Sequence, residues 1–190
     1  MSAAVLPRAD AARRLREETR AAHDAVELAI DWERRTASRD AYRGWLAALY
    51  GFHRGWEPVV AAAIGDPAFT APRLKLALLA ADLRALGAGA PDASPIWRDT
   101  VGIGDRASAW GSLYVLEGSM LGGQLVARRV AATLGFAPRY HAAYGAATGA
   151  MWRSFQARLA DELADEQACD RAVDAARRTF RAMGDWVAGA

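Results

Sequence analysis

Along almost the whole chain apolar side chains recur every three or four positions, and no segment sustains the one-in-two alternation of a half-buried strand. Leu15, Thr19, Ala22, Val26 and Ile30 make one such stripe and predict a first helix over about residues 10–30. Ser38 and Asp40 offer N-caps for a second helix over about 41–64, which Gly65-Asp66-Pro67 stops. A third, carried by Leu74, Leu78, Ala81 and Leu86, covers about 72–86. Residues 87–95, with Pro91 and Pro95 barring helix, read as a surface connection. Asp105 caps a fourth helix that reaches Leu134 before Gly135 and Pro138 end it, and two more follow over about 142–163 and 166–187. No repeat or low-complexity tract interrupts this pattern. The expectation is an all-α, single-domain helical bundle over residues 1–190, with 1–9 a flexible lead-in.

Composition narrows the partners. A chain of 190 residues is long enough to bury about 70% of its unfolded surface. Seven tryptophans supply large side chains to fill gaps between helices or line a pocket. With 24 basic and 22 acidic residues, the net charge of +2 is too even to argue for nucleic acid or a membrane surface. Lys75 is the sole lysine. The arginine excess suits bidentate carboxylate binding, and a GC-rich genome produces it equally well. A single Cys169 excludes an internal disulfide and a cysteine-rich zinc site. Arg13, Arg14, Arg16, Glu17, Glu18 and Arg20 interrupt the N-terminus before a signal-peptide core can form, and no run approaches the roughly 18–20 apolar residues of a membrane span. A cytoplasmic protein is expected.

The fourth helix carries the least ordinary stretch, Tyr114-Val115-Leu116-Glu117-Gly118-Ser119-Met120-Leu121-Gly122-Gly123-Gln124. Each interior glycine costs a helix about 0.5–1 kcal/mol relative to alanine. Three within one and a half turns point to a bend or to close approach of another body, and either a flat ligand or a neighbouring helix satisfies that. The run has neither GxGxxG spacing nor a P-loop lysine. Of the three histidines, His23 keeps the most suggestive company: Arg16 and Arg20 precede it, and Glu27 follows one turn later on the same face. An imidazole that ligates a metal usually gives its second nitrogen to a carboxylate, and a glutamate at i+4 is within reach. An ordinary solvated charge pattern has the same spacing. His53, in an aromatic run, reads as a core-edge residue, and His141 as part of a connection. The HExxH motif and the ExxH pairs of di-iron bundles are absent from the sequence.

These residues together resemble the bacterial haem oxygenases, including the biliverdin-producing type that supplies bacteriophytochromes. Residues 15–27 are similar to the family's proximal helix, Tyr114 to Gln124 to its distal helix, and Met151-Trp152-Arg153-Ser154-Phe155 to the later helix whose arginine meets a haem propionate. The resemblance runs over roughly residues 15–186. It implies that haem b is substrate and cofactor at once, its iron ligated by His23 with Glu27 behind it. Gly118, Ser119, Gly122 and Gly123 would form the catalytic distal wall. Arg16 and Arg153 would meet propionates, Arg20 would be a weaker partner at that edge, and Phe180 would be an aromatic on the pocket. It implies cleavage of haem with O2 to biliverdin, CO and ferrous iron. Electrons would come from an external ferredoxin or reductase, and a bacteriophytochrome is one acceptor of the product.

Animal members carry an aspartate where this chain has Ser119, so the proton route must differ. A haem-binding or haem-transfer protein without turnover, and a non-haem bundle of the thiaminase-like or scaffold kind, are the competing functions. Aerobic turnover of bound haem separates the first, and absence of haem affinity would favour the second.

Overall fold

The computed structural model describes residues 10–88, 95–98 and 101–190. The expected flexible lead-in at 1–9 and most of the expected connection at 87–95 lie outside the described residues. Among those described there is no strand element, and the chain forms one all-α fold. Local chemistry sets most boundaries. Ser38, Asp105 and Asp165 each accept a hydrogen bond from the backbone N–H three residues on, and so start α4 (Arg39–Ile64), α7 (Arg106–Leu134) and α10 (Glu166–Ala188). Gly65 and Gly135, in the left-handed region, end α4 and α7.

Three predicted helices are broken in the structure. The first divides at Thr19 into α1 (Asp10–Glu18) and α2 (Arg20–Ile30), because the Thr19 hydroxyl turns back to donate to the Leu15 carbonyl. The backbone ladder still passes through, from Thr19 N–H to Leu15 and from His23 N–H to Thr19. A short α3 (Trp32–Arg35) follows. The third, expected over 72–86, becomes a 3-10 turn (Ala71–Arg73) and α6 (Leu76–Ala85), with a short α5 (Pro67–Thr70) ahead of it. The fifth, expected over 142–163, becomes a 3-10 turn (Gly145–Ala147) and α9 (Thr148–Glu162), with α8 (Arg139–Ala142) formed in the expected connection ahead of it.

The centre of the fold is α7 laid along α10, with α4 against both. A Cβ on Gly111 would sit 1.9 Å from the Ala172 carbonyl oxygen, so the two backbones meet where only glycine fits. Trp56, Trp110, Tyr42, Phe52 and Phe155 fill the surrounding core. Burying side chains of this kind is worth roughly 1.5–3 kcal/mol each. In contrast, α2 rests on α10 through Val26, the one buried residue among its eleven, whose side chain abuts Gly184. Ala22 and Ile30 are partly buried against the core, and His23 and Glu27 face the space between α2 and α7.

A candidate active site between two helices

That space is a cavity of about 1040 Å³. From α1 and α2 it is lined by Arg16, Arg20, His23 and Glu27, and from α7 by Tyr114 and by each residue from Gly118 to Gly123. Trp45 and Leu49 of α4, Tyr140 and His141 of α8, Trp152 and Gln156 of α9, and Phe180 and Met183 of α10 complete the wall. Nine of the ten site residues expected from sequence therefore converge. The tenth, Arg153, is exposed on α9, with a guanidinium nitrogen 3.4 Å from where a Cβ on Gly149 would be. It is off the cavity wall because Trp152 and Gln156, four positions apart, hold the inward face of that helix.

The imidazole of His23 is half exposed, with Nε2 3.6 Å from Glu27 Oε1 and Nδ1 3.6 Å from Asp24 Oδ1. Both separations exceed a hydrogen bond, so neither nitrogen is tied down. Phe180 packs edge-on against the ring, with centroids 5.7 Å apart. These three groups, His23, Asp24 and Glu27, form a set close enough to share a metal ion.

On α7 the glycines separate by role. A Cβ on Gly122 would meet nothing within 4 Å, and one on Gly118 would make only ordinary contact with the Trp152 ring at 3.8 Å. One on Gly123 would lie 2.8 Å from the carbonyl oxygen of His141. Gly123 thus serves helix packing as well as lining the cavity. Gly118 and Gly122 leave bare backbone beside open space. The Ser119 hydroxyl donates to the Leu116 carbonyl at 2.8 Å, the usual back-bond of a mid-helix serine.

Sequence spacing missed the α8 side of the cavity. His141, expected in a connection, is buried on the cavity wall, and its Nδ1 lies 2.8 Å from the Tyr42 hydroxyl. The buried Tyr42 hydroxyl has no other hydrogen-bond partner among the described residues, which assigns it as donor and leaves His141 Nε2 carrying the ring proton. Burial pushes the His141 pKa down to about 3, so this ring is neutral.

His53, expected at the core edge, is fully buried. Its Nδ1 is 2.8 Å from Glu57 Oε1, and its Nε2 is 3.2 Å from the Tyr140 hydroxyl. The same Glu57 oxygen accepts the N–H groups of Lys75 and Leu76 at 2.6 and 3.0 Å, capping α6 from a different helix. Beside it, Lys75 donates to the Tyr144 hydroxyl, which donates to Glu117, one residue before the glycine wall. Desolvation lowers the Lys75 pKa to about 8 despite Glu117 and Glu57, and raises Glu117 above the usual carboxylate range. A visible signal existed for one of these groups: His53-x-x-x-Glu57 repeats the spacing of His23-x-x-x-Glu27.

The fold and cavity thus define a helical protein that can hold a flat ligand between an open imidazole and exposed helix backbone. Comparison with known proteins makes this specific. The sequence profile described as Heme oxygenase matches residues 9–189, and the chain belongs to that family. Its fold is similar to that of the heme oxygenase from Neisseria meningitidis, solved with NO and CO bound, at 22% identity and a TM-score of 0.76 over 93% of this chain and 89% of that one. It is also similar to the heme oxygenase from Leptospira interrogans, at 15% identity and a TM-score of 0.79 over 95% and 99%. No curated protein sequence matches. Among the described residues no helix is long and apolar enough to cross a membrane.

Proposed function

We propose that the chain is a haem oxygenase that opens haem to biliverdin, CO and ferrous iron. The observation that carries this is the convergence on one cavity of the half-exposed His23 imidazole and the Gly118 to Gly123 stretch of α7. The residues fit the ligand. His23 has a nitrogen lone pair available for iron, with Glu27 placed to orient the ring once it turns toward a metal. Gly122 leaves room for a macrocycle against the backbone, and Arg16 and Arg20 supply cationic partners for its carboxylates.

Bound haem supplies the oxygen activation, and a neutral imidazole ligand favours it less toward O–O cleavage than a thiolate does. The protein's part is orientation and water control. Bare backbone at Gly118 and Gly122 would let a bound macrocycle lie close to α7, with no side chain at those two positions in the way. His141, neutral and with Nε2–H as its free donor, holds water at the cavity's α8 edge. Ser119 takes the position of the animal aspartate, but its hydroxyl is committed to Leu116, so proton traffic falls to cavity water. Electrons come from a separate ferredoxin or reductase. The resemblance to bacterial members, which include the type that supplies bacteriophytochromes, makes a bacteriophytochrome one acceptor of the product.

Haem-loaded protein, given reductant under air, should lose its haem spectrum and yield biliverdin and CO. A persistent haem spectrum would reduce the protein to a haem carrier. His23→Ala should abolish the histidine-ligated spectrum. If His141→Ala does so instead, the ligand assignment is wrong.

A further inference from the structure

Two tyrosines near the cavity are hydrogen-bonded to histidines, and the pairs differ in one respect. Tyr42 meets His141, whose ring has no carboxylate partner and resists protonation because it is buried. Tyr140, on the cavity wall, meets His53, whose far nitrogen contacts the Glu57 carboxylate. The Glu57 oxygen is fixed by two further backbone donors, so the Tyr140–His53–Glu57 line is rigid and correctly polarised. His53 Nδ1–H donates to Glu57, and Nε2 is left to accept from Tyr140. Burial holds the Tyr140 pKa well above that of a free phenol, so simple ionisation is closed to it. Loss of an electron changes that, because an oxidised phenol must release its proton, and here the acceptor is already in place.

We propose that Tyr140 is a redox-active residue, with His53 and Glu57 as its proton acceptor, that returns an electron to bound haem oxidised by hydrogen peroxide. The proposal rests on the haem reading above. One electron passes from the Tyr140 ring to the oxidised haem, which is reduced by one equivalent. The phenolic proton moves to His53 Nε2, and the imidazolium so formed lies against the Glu57 carboxylate. What remains is a neutral phenoxyl radical. An electron from the external donor, with the same proton handed back by His53, restores the phenol.

The other cavity aromatics lack this arrangement. The buried indole N–H of Trp45 has no acceptor, and the Tyr114 hydroxyl has no hydrogen-bond partner among the described residues. For Tyr42, the proton would have to charge a buried imidazole with no counter-ion, which is costly. The device would spare the cavity wall from indiscriminate oxidation when peroxide reaches the haem without reductant.

The test begins with a haem titration followed by absorption. Haem-loaded protein is then mixed with hydrogen peroxide, frozen within milliseconds and measured by electron paramagnetic resonance. A tyrosyl signal is expected, narrowed when the protein carries ring-deuterated tyrosine, absent from Tyr140→Phe and retained in Tyr42→Phe. His53→Gln keeps the phenol but removes the proton acceptor, and should also lose the signal while still binding haem. If haem binds and the signal survives in both Tyr140→Phe and His53→Gln, or no tyrosyl signal forms in the unmodified protein, the redox assignment is overturned and the haem reading stands. If haem does not bind the unmodified protein at all, both are overturned.

Discussion

Gly122 and Gly123 are neighbours in sequence, yet their missing side chains answer to different things. The first faces open cavity, and the second accommodates the backbone of α8. Alanine at 122 meets no atom and improves helix propensity, so stability should hold or rise by up to about 1 kcal/mol. Alanine at 123 presses a methyl group into the His141 carbonyl and should cost about 1–3 kcal/mol, as overpacking does. For a chain of this size each kcal/mol moves the thermal midpoint by about 2–4 °C, so the two variants should melt clearly apart. Haem affinity should respond in the opposite order, with Gly122→Phe abolishing it in a protein that still folds. Equal melting of Gly122→Ala and Gly123→Ala would show that α8 does not depend on the close contact. The glycine cluster was legible in the sequence as a cost needing a cause, but one dimension cannot say which glycine serves which cause. The two His-x-x-x-Glu pairs make the same point. Spacing puts each glutamate one turn from its histidine, and only tertiary burial makes His53–Glu57 a hydrogen bond of 2.8 Å and leaves His23–Glu27 open at 3.6 Å.

Elements whose ends are set by their own residues were predicted well. The starts of α7 and α10 and the ends of α4 and α7 are fixed by caps within three residues, and those boundaries agree to within a residue or so. The starts of α6 and α8 were missed, because the groups that cap them are remote in sequence. Glu57 caps α6 across 18 residues, and Asp82 caps α8 across 57, with its carboxylate accepting the N–H groups of Arg139 and Tyr140. On α8 itself Tyr140 and His141 are both buried, and that burial favours the neutral form of His141.

This has a pH consequence. The folded pKa of His141, about 3, lies below its ordinary value near 6.5, so its contribution to stability is complete above about pH 6.5 and is lost as pH falls toward 3. Through that window the unfolded chain takes up a proton that the native one refuses, at about 1.4 kcal/mol per pH unit. Asp105 and Glu162, both held below the usual carboxylate range, lose their contributions only at more acid pH. Urea unfolding at pH 7 and pH 5 should therefore show wild type losing stability more steeply than His141→Gln. Parallel profiles would mean that α8 releases the ring to solvent without unfolding.

At the scale of the molecule, burial is unevenly shared between the two sides of the cavity. The α7 side belongs to the core: fifteen residues of α7 and eleven of α10 are buried, and the backbones touch at Gly111. The α2 side has a single buried residue, Val26, with Ala22, Ile30 and the His23–Phe180 ring contact only partly covered. Segments with few buried apolar contacts open locally at low cost, whereas packed core helices exchange only on global unfolding. Amide hydrogen exchange of the haem-free protein should accordingly be fast in α2 and slow in α7 and α10. Under the proposed reading, haem bonded to His23 would tie α2 to the rigid side, and a ligand at 100 times its dissociation constant stabilises the bound state by about 2.7 kcal/mol. Because α2 opens most easily, that increment should appear there first, as roughly a hundredfold slowing of exchange across residues 20–30. The core helices, already near the global limit, should change in absolute rate only as far as global stability does. His23→Ala should remove most of the protection at α2 even at saturating haem, since in the proposed reading coordination of iron by His23 is what would immobilise the helix. Should α2 exchange as slowly as α7 before haem is added, the cavity is preformed on both sides. Ligand binding would then have no helix to close.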